Sequence, residues 1–285
     1  MFKLSGFLLL LGFVFLSVTL YSYFLCQKKI IDEYNSLYFD FANNKKNQND
    51  ILIKSTAEIT NITELKNLID ERIVKKTPYA ITKEIQQVVR ESFIHGIGFL
   101  YPCENWLLFL ISQVPIDKIK IKRLNAILDV NRLLESPITF CSQNALVVQY
   151  LLNSYNIEFS SVAVGTAKMG HFASAAKIND EWYFLDGNIE YNMINQELTK
   201  LSDFLNPDNE DLIHQMYGFH PEIMQAIIKG RKTGEMHQFS VNKWPATRGL
   251  LFQNLTKVIS NWMWLVFFIL YFISVLFRAN TKFRS

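Results

Sequence analysis

One cysteine, one histidine and one aspartate follow each other within a short stretch of the chain, and together they could perform nucleophilic chemistry. They are Cys141, His171 and Asp186. A cysteine attacks a carbonyl carbon as a thiolate, so it needs a base to accept the thiol proton and a third group to orient that base. The three residues are therefore a candidate catalytic triad.

Cys141 lies where an apolar helix is predicted to begin. Pro137 ends the preceding helical pattern, and residues 144–152 form a mostly apolar, helix-like stretch. The N-terminus of a helix presents unpaired backbone N–H groups and the positive end of the helix dipole. We expect these groups to stabilise a thiolate and to bind the oxyanion of a tetrahedral intermediate.

The histidine and the aspartate are predicted to belong to one β-hairpin. Three segments rich in β-branched or aromatic residues are predicted strands: 159–164, 171–178 and 182–185. A tight turn at Asn179-Asp180 joins the last two strands. His171 and Asp186 then lie near the same end of the hairpin, within the roughly 5 to 8 Å that separates cross-strand neighbours. A hydrogen bond between them would fix the imidazole tautomer and leave the other ring nitrogen for the thiol.

Each of these residues also has an ordinary structural interpretation. A single cysteine in an apolar helix is usually a small core residue, and an aspartate before a glycine is usually a turn residue. Cys103 could also pair with Cys141 in an oxidising compartment, which would block the nucleophile. These alternatives stay open. The order of cysteine, histidine and aspartate along the chain, and the position of each at the end of a predicted helix or strand, favour a catalytic role.

The same region resembles the transglutaminase-like superfamily, whose core is a papain-like helix that begins at a cysteine and packs on a sheet bearing histidine and aspartate. The matching pairs are Cys141 with Ala145, Gly170 with His171, and Trp182 with Asp186. The resemblance covers about residues 127–190. It implies an α+β fold with this core and extra helices, and it implies the roles of nucleophile, general base and orienting acid for Cys141, His171 and Asp186, respectively.

The residues around the triad depart from the family pattern. Phe140 stands where the family often has Gly or Asp. Residues 159–161 lack the family's Arg, and residues 172–175 lack its Trp-x-Glu. The resemblance therefore does not identify a substrate.

Two uncharged apolar segments near the ends of the chain are predicted to cross a membrane, because roughly 20 such residues span a bilayer as a helix. The first could instead be a signal peptide, but it is long and has no small-x-small cleavage site near its end. The predicted organisation is a transmembrane helix at 4–25, a polar stalk at 26–60, a transglutaminase-like domain with an N-terminal helical subdomain at 61–240, a juxtamembrane segment at 241–257 and a transmembrane helix at 258–277.

The charges that flank these two segments predict an orientation. Arg278, Lys282 and Arg284 follow the second segment, and Lys3 precedes the first. The positive-inside rule then places both termini in the cytoplasm and the central domain outside it, in the periplasm or at the cell surface. Five cations on the opposite sides weigh against this orientation: Lys28, Lys29, Lys243, Arg248 and Lys257.

The rest of the chain is predicted to be mainly helical. Amphipathic patterns begin at Thr63 and at Ile81, and another covers 116–134. The chain after Asp186 is predicted to be mostly helical up to Ile227 and irregular from there to the second apolar segment.

Composition and spacing exclude several classes of function. A net charge of +3, without basic runs interleaved with aromatic residues, argues against a nucleic-acid partner. His214 and His220 are not spaced as metal ligands on a helix, and there is no glycine-rich phosphate loop. We therefore expect neither a metal nor a cofactor.

The predicted function is that of an envelope-anchored thiol enzyme, a hydrolase, peptidase or acyltransferase. It would cleave an amide or ester bond of a protein, peptide or envelope polymer through a thioester acyl-enzyme. The alternative is an inactive module of the same fold that binds or assembles an envelope complex. A transporter subunit is disfavoured because neither apolar segment carries a charged residue or a histidine.

Overall fold

A computed structural model describes residues 4–24, 59–95, 98–113, 124–135, 138–165, 170–187, 189, 197–218, 221–244 and 246–282. The chain divides into two compact units. The terminal unit comprises Met1–Asn43, Phe99–Ala126 and Arg248–Ser285, and the central unit comprises Asn44–Gly98 and Ile127–Thr247. Most of the predicted stalk lies outside the described residues.

The described residues form ten helices and six strands. The helices are α1 Leu4–Phe24, α2 Ile62–Arg72, α3 Pro78–Ser92, α4 Trp106–Ser112, α5 Val130–Leu134, α6 Cys141–Ser154, α7 Leu201–Leu205, α8 Glu210–Tyr217, α9 Pro221–Thr233 and α10 Thr247–Lys282. The strands are β1 Ile94–His95, β2 Ile138–Thr139, β3 Phe159–Gly165, β4 Gly170–Ile178, β5 Glu181–Leu185 and β6 Met236–Gln238. This content confirms the predicted α+β class.

Side-chain caps define where the first two helices of the central unit begin. The Asn61 side chain accepts hydrogen bonds from the backbone N–H groups of Thr63 and Glu64 at the start of α2. The Thr77 side chain accepts from Ala80 at the start of α3, whose first residue is a proline. Such caps satisfy donors that have no partner inside the helix.

A four-stranded antiparallel sheet with the order β5-β4-β3-β6 lies at the centre of this unit. The β4–β5 hairpin pairs Ile178 with Glu181, so Asn179 and Asp180 form the turn. Both turn residues have a positive φ, 50° and 64°, as a two-residue hairpin turn of the mirror-image type requires. The predicted hairpin and its register are confirmed.

Helix α6 packs on one face of this sheet through a polar contact. Gln149 donates hydrogen bonds to the hydroxyls of Ser161 on β3, at 3.0 Å, and Ser174 on β4, at 3.1 Å. The Ser174 hydroxyl in turn donates to the carbonyl of Ala145 at 3.2 Å. Because all of these groups are buried, they fix the position of α6 along the strands.

Apolar residues cover the opposite face of the sheet. Val162 and Val164 of β3 and Ala173 and Ala175 of β4 join a buried cluster with residues of α7, α8 and α9. Within it, the rings of Phe184 and Phe204 stack at a centroid distance of 3.6 Å. The Cys141 helix and the C-terminal helices of the unit therefore sandwich the sheet.

Two of the secondary-structure predictions are wrong. The helix predicted over 116–134 is limited among the described residues to α5, because Ala126 pairs with Phe99 in a β-bridge and Asp129 caps a new helix start. The segment after Ile227 is also more regular than predicted. Strand β6 pairs with β3, and α10 begins at Thr247, well before the apolar segment.

The terminal unit contains two helices that are long and apolar enough to cross a membrane, Leu4–Phe24 and Thr247–Asn280. They contact each other through the rings of Phe13 and Phe268, whose centroids are 5.2 Å apart, and through a hydrogen bond from Thr19 to the Ser260 carbonyl. The short helix α4 joins them, since the Trp106 indole N–H donates to the same Ser260 carbonyl at 2.9 Å.

Candidate active site

Cys141 is the first residue of α6, as the sequence predicts. Phe140 before it is extended, with φ −84° and ψ 162°, so the helix begins at the cysteine itself. The Cys141 side chain is a free thiol and is 3% exposed, whereas Cys103 is disulfide-bonded. The possible Cys103–Cys141 disulfide therefore does not occur, and the Cys141 sulfur is not blocked by a disulfide.

The start of α6 is held by the side chain of Gln143. Its Oε1 accepts hydrogen bonds from the backbone N–H of Phe140 at 2.9 Å and of Gly98 at 3.2 Å. Its Nε2 donates to the carbonyls of Gly98 and Ile127, both at 2.8 Å. These four hydrogen bonds tie the first turn of α6 to two other backbone segments of the central unit.

His171 and Asp186 form a buried pair. His171 is the second residue of β4 and Asp186 follows the last residue of β5. Ser174 of β4 pairs with Leu185 of β5, so Asp186 lies level with Ala173, two residues after His171. The side chains of His171 and Asp186 are therefore diagonal neighbours on one face of the sheet. The Nε2 atom of His171 hydrogen-bonds with Oδ2 of Asp186, and the two residues are 3% and 2% exposed.

The other ring nitrogen of His171 is left for the thiol. Nδ1 is buried and forms no hydrogen bond of ordinary geometry with the described residues. Burial alone would lower the pKa of His171, but the charge and hydrogen bond of Asp186, followed by the hydrogen bond and charge of Cys141, raise it to about 10. Hence both the carboxylate and the cysteine favour the protonated form of the imidazole.

Tyr217 is a fourth member of the site, which the sequence analysis missed. Its hydroxyl donates to Oδ2 of Asp186 at 2.5 Å and lies 3.5 Å from Nε2 of His171. Its ring packs edge-on against the His171 ring at a centroid distance of 5.3 Å. Tyr217 is the last residue of α8 and is fully buried. No spacing in the sequence relates it to the triad, because the contact depends on how α8 packs against the sheet.

Gly187 allows the chain to pass close to α6 directly after Asp186. A Cβ atom at this position would lie 3.0 Å from Val89 Cγ1 and 3.3 Å from Asn144 Nδ2. The Asn144 side chain in turn accepts a hydrogen bond from the Thr139 hydroxyl. Glycine therefore brings the segment that carries Asp186 against the first turn of the cysteine helix.

The other histidines noted in the sequence do not form a cluster among the described residues. His214 is exposed on α8, His237 is exposed on β6, and His220 lies outside the described residues. Within the described part of the chain, no group of three or more His, Cys, Asp or Glu side chains could hold a metal ion.

The arrangement combines the parts of a thiol nucleophile with its acid–base partner. A thiol at a helix start, an imidazole beside it and a carboxylate on the far ring nitrogen can form a thiolate–imidazolium pair. The three predicted residues come together in the central unit, and Tyr217 and Gln143 are the additional residues that hold them.

No protein-family model and no curated protein matches the chain. Several solved structures are similar to it, and three of them are described here. One is described as a TGase, with 12% identity, a TM-score of 0.30 and coverage of 54% of this chain and 37% of that one. A proposed cysteine protease from Cytophaga hutchinsonii has 12% identity, a TM-score of 0.30 and coverage of 50% and 42%. LapG of Legionella pneumophila has 10% identity, a TM-score of 0.22 and coverage of 52% and 80%.

The chain spans less than half the length of the first two of these structures. At such low identities and TM-scores the similarity says nothing about activity or substrate. The central unit itself has the predicted α+β arrangement: a helix that begins at Cys141 packs on an antiparallel sheet whose hairpin carries His171 and Asp186.

Proposed function

We propose that the protein is a membrane-anchored thiol enzyme that acts on an amide or ester bond through a thioester acyl-enzyme. It would be a hydrolase, a peptidase or an acyltransferase. The observation that carries the proposal is the position of His171, whose Nε2 binds Asp186 and whose pKa is raised by Cys141 as well as by Asp186. A histidine with a purely structural role would not need to interact with both a carboxylate and a thiol.

In the proposed reaction, the thiol proton of Cys141 moves to Nδ1 of His171, which gives a thiolate and an imidazolium. The thiolate attacks the carbonyl carbon, and the tetrahedral intermediate collapses as Nδ1 protonates the departing amine or alcohol. A water molecule then loses a proton to Nδ1 and attacks the thioester carbon. The carboxylic acid departs, and the thiolate–imidazolium pair is restored.

The first turn of α6 would stabilise the oxyanion. Gln143 and Asn144 donate their backbone N–H groups to the carbonyl of Phe140, at 2.8 and 2.9 Å. The N–H groups of Cys141 and Ser142 precede them in the turn, where a helix offers no carbonyl partner. Such donors lower the barrier when they point at the oxygen that becomes negative.

The two long apolar helices of the terminal unit support the membrane anchor. In the orientation that we propose, both termini are cytoplasmic and the central unit is extracytoplasmic. The disulfide bond of Cys103 supports an extracytoplasmic location, because structural disulfides persist mainly in oxidising compartments.

The low exposure of the triad favours a second candidate function. Cys141, His171 and Asp186 are each no more than 3% exposed, so a substrate carbonyl does not reach the sulfur in this conformation. An inactive module that binds or assembles an envelope complex would retain such a closed site. Reactivity of the thiol separates the two functions.

Alkylation by a small iodoacetamide probe tests the proposal. The full-length protein in its membrane is treated without reductant, and the modified residue is identified by peptide mass spectrometry. We expect rapid modification of Cys141, no modification at this position in Cys141→Ala, and much slower modification in His171→Ala. Ser142→Ala, which changes the next residue and keeps the triad, serves as the matched control.

Two results would contradict the enzyme. One is labelling of the intact protein that persists undiminished in Cys141→Ala. The other is a Cys141 alkylation rate that His171→Ala leaves unchanged, which would favour the binding module.

A further inference from the structure

Helix α4, Trp106–Ser112, is a strongly apolar element of the terminal unit that is too short to cross a membrane. Six of its seven residues are large and apolar, and the chain carries no charge from Asn105 to Ile116. At 1.5 Å per residue the helix is about 10 Å long, whereas the hydrocarbon core of a bilayer is roughly 30 Å thick. A helix of this length can enter one leaflet and no more.

One side of α4 is fixed to both of the long apolar helices. The Trp106 indole N–H, which donates to the Ser260 carbonyl of α10, also donates to the Thr19 hydroxyl of α1 at 3.3 Å. The Trp106 ring packs edge-on against Phe15 of α1 at a centroid distance of 5.5 Å. The Ser260 hydroxyl accepts a hydrogen bond from the backbone N–H of Leu107 at 3.1 Å. The start of α4 therefore lies level with Thr19 and Ser260.

These contacts fix the depth of α4 in a membrane that α1 and α10 cross. Thr19 lies five residues before Phe24, the last residue of α1, and Ser260 lies two residues after Val258, where the predicted span of α10 begins. At 1.5 Å per residue these positions are about 7.5 Å and 3 Å inside the apolar segments. Interfacial helices bury their apolar face by roughly 5–10 Å, and tryptophan is enriched at this level of a membrane.

The polar groups at the start of α4 are satisfied by the protein itself. The Oδ1 atom of Asn105 accepts hydrogen bonds from the N–H of Leu108 and the hydroxyl of Ser260, both at 3.1 Å. Its Nδ2 donates to the Thr256 hydroxyl at 2.8 Å and to the Gln253 carbonyl at 3.0 Å. Lipid offers no hydrogen bonds, so an element that enters it must find such partners within the protein.

The opposite side of α4 presents apolar side chains to the exterior. Leu107, Leu110 and Ile111 are spaced three and four residues apart and so share one face, which we call the outer face. Leu110 is 53% exposed and the other two are partly exposed. Close to the same depth, α10 also exposes large apolar side chains, with Val258 at 57% and Trp262 at 56%. The outer face therefore lies level with a surface of α10 that faces lipid when α10 crosses the membrane.

We propose that α4 is embedded in the outer leaflet of the membrane and that its outer face contacts lipid acyl chains. The terminal unit then enters the bilayer through three elements, two that cross it and one that does not. This inference rests on the proposed membrane anchor and its orientation, and it is independent of the thiol chemistry.

Spin labels test this placement, because their collision rates distinguish lipid, water and protein surroundings. Leu110→Cys is introduced into the full-length Cys141→Ala protein, labelled without reductant and reconstituted in phosphatidylcholine liposomes. Collisions with oxygen, which concentrates in hydrocarbon, are compared with those of nickel ethylenediaminediacetate, which stays in water. Phe272→Cys on α10 is the lipid reference, and Val74→Cys, on the surface of the central unit, is the water reference. Cys141→Ala without an added cysteine gives the background signal.

We expect the ratio of oxygen to nickel collisions at Leu110 to be close to that at Phe272 and several-fold above that at Val74. Leu107→Cys, on the same face, should give the same result. A ratio at Leu110 as low as that at Val74, with Phe272 still in lipid, would overturn the inference alone. Low collision rates with both reagents at Leu110 would also overturn it, since they indicate a protein partner or a second copy. A water-like ratio at Phe272 would overturn the membrane anchor and this inference with it.

Discussion

Tyr217 donates its hydroxyl hydrogen bond to Oδ2 of Asp186, the same oxygen that binds His171. Burial, and then the charge of Asp186, raise the pKa of Tyr217 well above its ordinary value, so the phenol keeps its proton and acts as the donor. The carboxylate therefore receives hydrogen bonds from the sheet and from α8 together, which fixes the orientation in which it holds the imidazole.

Replacing Tyr217 by Phe should weaken both the fold and the site. The change keeps the ring and removes one hydrogen bond to a buried carboxylate, which is worth about 1.5–3 kcal/mol of unfolding free energy. We expect urea denaturation to show a loss of this size and the alkylation rate of Cys141 to fall. Tyr150→Phe, on the exposed face of α6, is the control and should change neither quantity.

His171 should remain protonated in the native protein at neutral pH. Its pKa rises from an ordinary 6.5 to about 10 on folding, so the native state keeps a proton that the unfolded chain releases in this range. The resulting stabilisation is complete below about pH 6.5 and is lost as the pH rises through about 10. Histidine ring NMR at pH 7–8 should show an imidazolium at this position, assigned with His171→Gln.

Asp186→Asn tests the cause of that protonation. The substitution removes the carboxylate charge, the largest cause that raises the pKa of His171, and leaves the burial that lowers it, so the imidazolium signal at pH 8 should weaken. The fall in unfolding free energy between pH 7 and pH 10 should become shallower than in the parent. An imidazolium signal that is undiminished in this variant would contradict the assignment of Asp186.

Gln143→Ala should loosen the start of the cysteine helix. It leaves the carbonyls of Gly98 and Ile127 and the N–H of Phe140 without their partner. Buried groups of this kind cost roughly 1–3 kcal/mol each, so a loss on the order of 3 kcal/mol in unfolding free energy is expected. Gln143→Glu keeps the acceptor and loses both donors, and it should be almost as harmful, whereas Ser142→Ala should be neutral.

Gly230→Ala should disturb the strands that lead to His171. A Cβ atom on Gly230 of α9 would lie 2.4 Å from the backbone nitrogen of Gly165, which pairs with Gly170. Because this neighbour is backbone, the helix must shift, and we expect a destabilisation of about 1–3 kcal/mol in thermal or urea unfolding. Lys229→Ala, on the exposed side of the same helix, should be tolerated; an unchanged stability in Gly230→Ala would show that α9 moves freely.

The sequence could predict those parts of the site that depend on local patterns. Cys141 begins a helix because a proline and an apolar run define that start, and the His171–Asp186 pair follows from a two-residue turn and strict alternation along two strands. Tyr217 could not be found in this way. Its partner Asp186 lies 31 residues earlier, and only the packing of α8 on the sheet joins them.

Gln143 was missed for the same reason. Its partners lie 45 and 16 residues away, and no local pattern relates them to the start of α6. Apolar periodicity also misled over residues 124–134, the described part of the predicted 116–134 helix, because it cannot distinguish a continuous helix from a β-bridge followed by a short helix.

Some residues of the site are close together in the sequence and others are far apart, and this affects how the site forms during biosynthesis. The base and the acid belong to one hairpin with a two-residue turn, which can close within microseconds once its residues are available. The thiol reaches them only when α6 has docked on the sheet, and the phenol only when α8, made later, has packed on the other face. We therefore expect a newly made chain to carry an ordinary, weakly nucleophilic cysteine, and to acquire a reactive one as the last event of folding.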